Sequence, residues 1–155
     1  MQIKKILNEK EIRDIEKLIE KNYGCKINLG KYKVFKTGEE KIWIVEKGVD
    51  MELCKKLRCY AMGMYFGKLK RNNKIKLSME GAMMIGKIAK KNVAVIDEGE
   101  GMKFIEGENV IASKLIGCEQ NNFVIIKMNE DILGVGILRE NFIENLVPKA
   151  RRINF

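Results

Sequence analysis

The sequence contains no histidine, and this absence removes several classes of enzyme chemistry. Ser-His-Asp and Cys-His catalysis both need an imidazole as the general base, so neither can operate in this chain. Four cysteines are present, but they form no CxxC pair, and without histidine they cannot build the common zinc sites. We therefore expect no catalytic site and no metal site.

Long apolar runs are also missing. No segment approaches the roughly 20 consecutive apolar residues that span a bilayer, and the opening MQIKKILNEKE lacks the apolar stretch of a secretion signal. We expect a cytoplasmic protein without a membrane partner. Because a disulfide between Cys54 and Cys59 would be unusual in that compartment, we expect the cysteines to be buried, unreactive thiols.

A phosphate-binding loop is only partly matched. Residues 81–88, GAMMIGKI, fit the pattern GxxxxGK but carry Ile88 where the motif needs Ser or Thr to hold magnesium. The stretch also follows a predicted helix cap, Ser78, and not a buried strand. We therefore predict no bound nucleotide and no cofactor.

What the sequence does contain is a localised positive charge. Residues 54–91 hold eleven lysines and arginines against one acid, Glu80, whereas the other 117 residues hold 19 bases and 20 acids. Such self-repulsion costs stability, and its usual use is to raise the local concentration of a polyanion. The alternative, a solvated lysine-rich surface, predicts lysines spread evenly among acids, which holds only outside this segment.

The first half predicts helices and hairpins. Asn8 caps a helix that has Glu11 at its third position, and Gly24 ends it. Residues 26–45 alternate in two runs joined by a turn, which is typical of a hairpin. Trp43 in the second run is predicted to be core, with base stacking as the alternative. Further predicted elements are a short helix at 49–57, strands within 60–77 and a helix at 78–89.

The stretch YFGKLKRNNKIKL, residues 65–77, carries five basic residues and no acid. A hairpin with a three-residue loop at 71–73 would put its apolar and basic side chains on opposite faces, and asparagine tolerates the left-handed conformation that such a loop requires. Like charges directly opposite each other destabilise a sheet by up to about 1 kcal/mol per pair. Phosphates of a nucleic acid would turn this repulsion into attraction, so the hairpin is predicted to bind nucleic acid. The register pairs Lys68 with Lys76, Leu69 with Ile75, and Lys70 with Lys74.

After Lys91 the sequence changes to short β segments with frequent glycines. Gly99, Gly101 and Gly107 are spaced for turns and do not match GxGxxG, so a dinucleotide fold is not indicated. Five short strands in about 65 residues are typical of a small β-barrel, and we place the domain boundary near Lys90. The segments are NVAVID, EGEGMKFIEG, NVIAS, NFVIIKM and DILGVGILRE.

This second half resembles a PUA domain, the RNA-binding barrel named for pseudouridine synthases and archaeosine transglycosylases. The resemblance lies in the order and spacing of three stretches. They are the strand VAVID, the short helical GEGMKFIEGENVIAS and the final ILGVGILRE.

The first half is similar to the ribosome-biogenesis factors of the Nip-seven family. In that family a run G-x-x-F-G-K-x-x-K-x-x-K-x-(K/R)-L precedes the PUA domain, and GMYFGKLKRNNKIKL at 63–77 follows it. An amphipathic helix and a hairpin come before the run, so the resemblance covers nearly the whole chain. The matching residues are Gly63, Phe66, Gly67, Lys68, Arg71, Lys74, Lys76 and Leu77.

The resemblance implies an α+β fold, in which an N-terminal α/β pre-PUA domain at 1–90 packs on a small C-terminal PUA β-barrel at 91–155. It implies a protein that binds U-rich or AU-rich single-stranded RNA during pre-rRNA processing and large-subunit assembly. We expect this protein to be non-catalytic and monomeric. Its N-terminal domain would dock other assembly factors. The expected RNA-binding residues are Lys68, Lys70, Arg71, Lys74, Lys76, Lys90, Lys91, Lys149, Arg151 and Arg152.

Two alternatives stay open at this point. A PUA-containing translation factor with the same layout would bind the small ribosomal subunit or tRNA. At the C-terminus, the ending NLVPKARRINF lacks the Asp-Gly-aromatic-Leu-Arg of the family, so its basic residues are alternatively a solvated tail.

Overall fold

Residues 3–57 and 63–153 are described in a computed structural model of the protein, and they form two five-stranded sheets. The first sheet is an antiparallel meander in which each strand pairs with the next along the chain. Its strands are β1 (Ile3–Ile6), β2 (Tyr32–Thr37), β3 (Lys41–Glu46), β4 (Met64–Lys70) and β5 (Lys74–Leu77). Two helices belong to this half, α1 (Glu9–Tyr23) and α2 (Met51–Leu57).

Helix α1 begins and ends where its caps predict. The Asn8 side chain accepts a hydrogen bond from the Glu11 amide at 2.9 Å, and the Glu11 side chain accepts one from the Asn8 amide at 3.1 Å. This capping box satisfies two amides that the helix leaves free. At the other end Gly24 takes a left-handed conformation with φ of 64°. The apolar side of α1 packs on the sheet, where Ile15 and Ile19 are buried.

The β4–β5 hairpin has the predicted register. Lys68 lies opposite Lys76, Leu69 opposite Ile75 and Lys70 opposite Lys74. The loop at 71–73 places Asn72 and Asn73 at φ of 63° and 56°, the left-handed region that asparagine tolerates. The prediction of a three-residue loop is therefore confirmed.

The second sheet has the order β10-β9-β8-β6-β7, with β6 and β8 parallel and the other pairs antiparallel. An isolated bridge between Val110 and Ile143 adds a contact beyond these strands. The strands are β6 (Val93–Val95), β7 (Lys114–Ile116), β8 (Phe123–Met128), β9 (Asp131–Leu138) and β10 (Ile143–Asn145). The helices are α3 (Met79–Ile85), between the sheets in sequence, and α4 (Glu98–Ile105).

Two of the predicted β segments in this half are wrong. The segment EGEGMKFIEG forms α4, which contradicts the strand prediction and agrees with the short helix that the resemblance to a PUA domain implies. Asp97 caps this helix by accepting a hydrogen bond from the Glu100 amide at 2.8 Å, and Phe104 is buried. The segment NVIAS contributes only the bridge at Val110. Strands β7 and β10 were not among the predicted segments.

Helix α3 packs closely against both sheets through two glycines. A Cβ on Gly81 would collide with the carbonyl oxygen of Phe66 in β4. A Cβ on Gly86, just after the helix, would lie 2.6 Å from Ile132 Cδ1 in β9. The glycines of GAMMIGKI therefore serve close packing and not phosphate binding.

One hydrophobic core crosses from the first sheet to the second. Buried side chains of α1 and the first sheet pack in the same cluster as Val93, Ile125, Ile132 and Val135 of the second. A separate cluster lies inside the second half, around Phe104 and Ile126. A third covers the other face of the first sheet, where Phe35 and Trp43 meet α2. The α+β class is confirmed, and the two halves share apolar packing.

The cysteines differ in part from expectation. Cys54 is fully buried but disulfide-bonded, so the expectation of a free thiol is wrong for this residue. Cys59 lies outside the described residues. Cys25 and Cys118 are free, and burial raises the pKa of both thiols, as expected of unreactive cysteines.

Candidate nucleic-acid interface

Four lysines occupy one face of the β4–β5 hairpin. Leu69, Ile75 and Leu77 turn to the opposite face and pack in the shared core. Side chains alternate across a strand, so the residues between them point away from that core. We refer to Lys68, Lys70, Lys74 and Lys76 as the lysine face.

The lysine face is electrostatically strained. Lys68 lies directly opposite Lys76 on one side and Lys41 of β3 on the other. The Lys68 ammonium lies 3.1 Å from the Glu39 carboxylate and lowers the pKa of that carboxyl. Because the Glu39 side chain is 86% exposed, water screens this ion pair. Among the described residues, Lys70, Lys74 and Lys76 form no ion pair. Repulsion within the face is thus largely uncompensated.

Lys76 combines partial burial with two like-charged neighbours on the lysine face. It is half-buried, and this burial, followed by the charges of Lys70 and Lys68, lowers its pKa below the ordinary value of 10.5. A lowered lysine pKa means that the folded protein disfavours the ammonium form. A phosphate beside Lys76 would reverse this effect.

The tip of the hairpin is held by both halves of the chain. The Asn22 amide of α1 donates a hydrogen bond to the Asn73 carbonyl at 2.9 Å, and the Lys74 ammonium donates one to the Asn121 carbonyl at 3.3 Å. Arg71 in the loop is exposed. The loop is therefore fixed in place while its arginine stays accessible.

Lys90 and Lys91 lie at the C-terminal end of α1 and not on the lysine face. Both backbone amides donate to the Tyr23 carbonyl, at 2.8 and 3.1 Å, and the Lys91 ammonium donates to the Lys21 carbonyl at 2.9 Å. These bonds satisfy carbonyls that the end of α1 leaves free. Lys90 lines an open cleft of about 670 Å³ with Lys26 and other residues. Helix α1 packs on the core face of the sheet, so this cleft is separate from the lysine face.

The three C-terminal basic residues have different surroundings. Lys149 is exposed. Arg151 pairs with Glu80 at 2.7 Å. Partial burial raises the pKa of Glu80. Hydrogen bonds from Arg151 and a backbone amide, together with the charge of Arg151, outweigh this effect, so the pKa of Glu80 is lowered overall. Arg152 donates to the Val147 carbonyl at 3.2 Å and packs against Gly107, so it is partly committed to the fold.

The structure brings two of the predicted residues together across 75 positions of sequence. Lys76 and Arg151 line the same pocket of about 160 Å³, which lies between β4–β5 on one side and β9 with the C-terminal segment on the other. We refer to it as the junction pocket. Its wall also includes Tyr65, Met79, Leu146 and Pro148.

Tyr65 lines the junction pocket but was not among the RNA-binding residues predicted from the sequence. Strict alternation from Lys68 places Tyr65 on the core face, together with Leu69. The β3–β4 pairing instead shifts register, from Ile42 opposite Gly67 to Trp43 opposite Tyr65, so Phe66 is an extra residue in the ladder. Phe66 enters the core, and Tyr65 turns to the side of the lysine face. The glycine after Phe66 is the only local signal for this bulge.

Trp43 is core, as predicted. It is 8% exposed, donates a hydrogen bond to the Thr37 hydroxyl at 2.8 Å and stacks near Phe35. Its ring centroid lies 5.3 Å from that of Tyr65, tilted by 43°. Trp43 therefore packs against Tyr65, which also lines the junction pocket.

Comparison with known proteins identifies the fold. No family profile matches the chain, and no curated protein is similar to it. It is similar in structure to a PUA domain protein from Aeropyrum pernix K1, crystallised with tartrate, with a TM-score of 0.58 over 94% of this chain and 85% of that one. The two sequences are 11% identical. The chain therefore has a PUA-domain fold.

The described residues contain neither a metal-binding cluster nor a membrane-spanning helix. Within 3–57 and 63–153, no three acidic or cysteine side chains are grouped so that they could hold a metal ion. No helix in the same ranges is both long and apolar enough to cross a membrane.

Proposed function

We propose that the protein is a non-catalytic, cytoplasmic RNA-binding protein whose main contact surface is the lysine face. The observation that supports this is the register of the β4–β5 hairpin, which pairs lysine with lysine twice on one face. Each such pair costs up to about 1 kcal/mol in the free protein. Phosphates of a bound RNA would remove that cost, and the PUA-domain fold is consistent with this ligand.

The fuller proposal assigns a role to each half. Residues 1–90 act as a pre-PUA domain that carries the lysine face and docks other assembly factors, and residues 91–155 act as the PUA domain. The RNA is a U-rich or AU-rich single strand, and the process is pre-rRNA processing in large-subunit assembly. Gradient fractionation of cell extract tests this role, because the protein should migrate with large-subunit precursors. Migration with mature small subunits would contradict it.

RNA binding is tested by fluorescence anisotropy of a labelled U-rich single strand over a range of salt concentrations. With roughly five phosphates engaged, log K should fall with log salt at a slope near −3.5. Changing the four residues of the lysine face to alanine should weaken binding at least tenfold and remove roughly 2.8 from that slope, because each lost contact removes about 0.7.

A matched variant controls for total charge. It changes four lysines that lie outside residues 54–91 and are exposed, namely Lys4, Lys10, Lys17 and Lys47, to alanine. This variant should keep both the affinity and most of the slope. The proposal fails if binding by the wild type is independent of salt, or if the two variants bind equally well.

A further inference from the structure

We propose that the junction pocket holds one unstacked base of the single-stranded RNA, with Tyr65 as the surface on which the base stacks. This inference rests on the proposed RNA binding and goes beyond it. It names a base-binding position, whereas the lysine face contacts only phosphates.

The size of the junction pocket fits one ring. Its volume is about 160 Å³, whereas pockets that enclose drug-sized ligands measure about 300–1,000 Å³. A cavity of about 150 Å³ in another protein binds benzene. The junction pocket therefore has room for a six-membered pyrimidine ring but not for a whole nucleotide, whose sugar and phosphate would stay outside.

The chemistry of the wall suits a base. Tyr65 presents an aromatic ring, and Met79, Leu146 and Pro148 add apolar surface around it. Bases stack on aromatic side chains, and each stacked base contributes binding energy whatever its identity. Because the Tyr65 ring packs against Trp43, with ring centroids 5.3 Å apart, it is already ordered before RNA binds.

The charges at the rim suit a phosphate. Lys76 belongs both to the lysine face and to the wall of the junction pocket, so the two surfaces are continuous. Arg151 enters from the opposite side and is oriented by Glu80 at 2.7 Å. Glu80 also lines the pocket, so Lys76, Arg151 and Glu80 together leave one net positive charge there. An RNA strand that follows the lysines thus reaches the pocket with basic groups on both sides. A double helix keeps its bases stacked and paired, so only a single strand can place a base there.

The test compares Tyr65→Leu with Tyr65→Phe, using labelled eight-residue oligouridine and an abasic oligomer of the same length and charge. The wild type should bind oligouridine about tenfold more tightly than the abasic oligomer. Tyr65→Phe keeps an aromatic ring and should keep this preference. Tyr65→Leu should lose it, while the salt dependence stays unchanged because no charge is removed.

A second measurement does not depend on the fold of a variant. Oligouridine carrying 5-iodouridine is irradiated with the wild-type protein, and the cross-linked residue is mapped by mass spectrometry. Cross-linking at Tyr65 is expected.

The outcomes separate this inference from the proposed function. If Tyr65→Leu, shown by its melting curve to be folded, still prefers oligouridine, the base site is refuted while RNA binding stands. Equal binding of both oligomers by the wild type also refutes the base site. If the wild type binds neither oligomer, both proposals fall.

Discussion

Lys76 carries an energetic cost that only its surroundings explain. It is half-buried, it lies opposite Lys68, and its pKa is lowered by burial and by neighbouring lysines. A residue chosen for stability at this position would be uncharged. Keeping an ammonium there lowers the stability of the free protein, and an RNA phosphate would offset this loss.

We expect Lys76→Met to stabilise the free protein at pH 7 by about 0.5–1 kcal/mol. The substitution keeps an unbranched apolar stem but removes the repulsion between Lys76 and Lys68. The expected gain is small because solvent at this half-exposed position partly screens that repulsion. Because the folded-state pKa lies below the unfolded value, the penalty is fully present below the folded pKa and disappears as the pH rises through 10.5. The advantage of the variant should therefore shrink above pH 10.

Urea unfolding at several pH values measures this difference. Lys47→Met, at an exposed position, is the control and should change stability by less than about 0.5 kcal/mol. A variant less stable than the wild type at pH 7 would show that Lys76 is stabilising in the free protein.

The β4–β5 hairpin is the element that orders the lysine face, and its geometry depends on its loop. Asn72 and Asn73 both have positive φ, and the Asn73 carbonyl accepts a hydrogen bond from Asn22. The Tyr23 hydroxyl also donates to the Ile75 carbonyl at 2.7 Å, and burial raises the pKa of this tyrosine. The hairpin is thus tied to α1 through backbone carbonyls, which side-chain substitutions in the loop leave intact.

Replacing Asn72 and Asn73 together with alanine should lower the free energy of unfolding by about 1–2 kcal/mol. A left-handed conformation is sterically unfavourable for alanine, whereas asparagine partly offsets this cost by local hydrogen bonding. Replacing both with glycine should preserve stability, since glycine adopts positive φ without that cost. Urea unfolding monitored by Trp43 fluorescence distinguishes them. Equal stability of the two variants would refute the strain argument.

At the scale of the whole molecule, Asn92 joins the two halves. It is 1% exposed, its amide donates to the Asn22 carbonyl at 2.6 Å, and its side-chain oxygen accepts from the Glu119 amide at 3.1 Å. The hydrophobic core also runs through both sheets. Residues 1–90 and 91–155 should therefore unfold together, although the exact boundary between them stays a prediction.

We expect Asn92→Ala to destabilise the whole chain by about 3 kcal/mol. It removes one buried and one partly buried hydrogen bond and leaves alanine at φ of 53°. Asn129→Ala is the matched control, because Asn129 has the same φ but is exposed. That variant should lose only about 1 kcal/mol.

Unfolding of Asn92→Ala should remain a single transition, with Trp43 fluorescence and far-UV circular dichroism giving the same midpoint. Two separated transitions would show that the halves fold independently. A loss no larger than that of Asn129→Ala would show that the hydrogen bonds of Asn92 contribute nothing to their joining.

Features that depend on neighbouring residues could be predicted from the sequence. The caps of α1 act within four residues of the helix ends, and the hairpin register depends on a period of two and on asparagines suited to a left-handed loop. The grouping of four lysines on one face follows from the same period. Where the local signal was weak, as in EGEGMKFIEG, the glycines also fit turns between strands, so the residue pattern predicted a strand and only the family resemblance indicated the helix.

The residues beside the lysine face, in contrast, are set by contacts between distant parts of the chain. The bulge at Phe66 is set by the pairing of β4 with β3, and it reverses the side to which Tyr65 points. The approach of Arg151 to Glu80 and Lys76 depends on how the second sheet packs on the first. No local rule relates residues 71 or more positions apart, so the lysines were predictable from the sequence and the pocket at their edge was not.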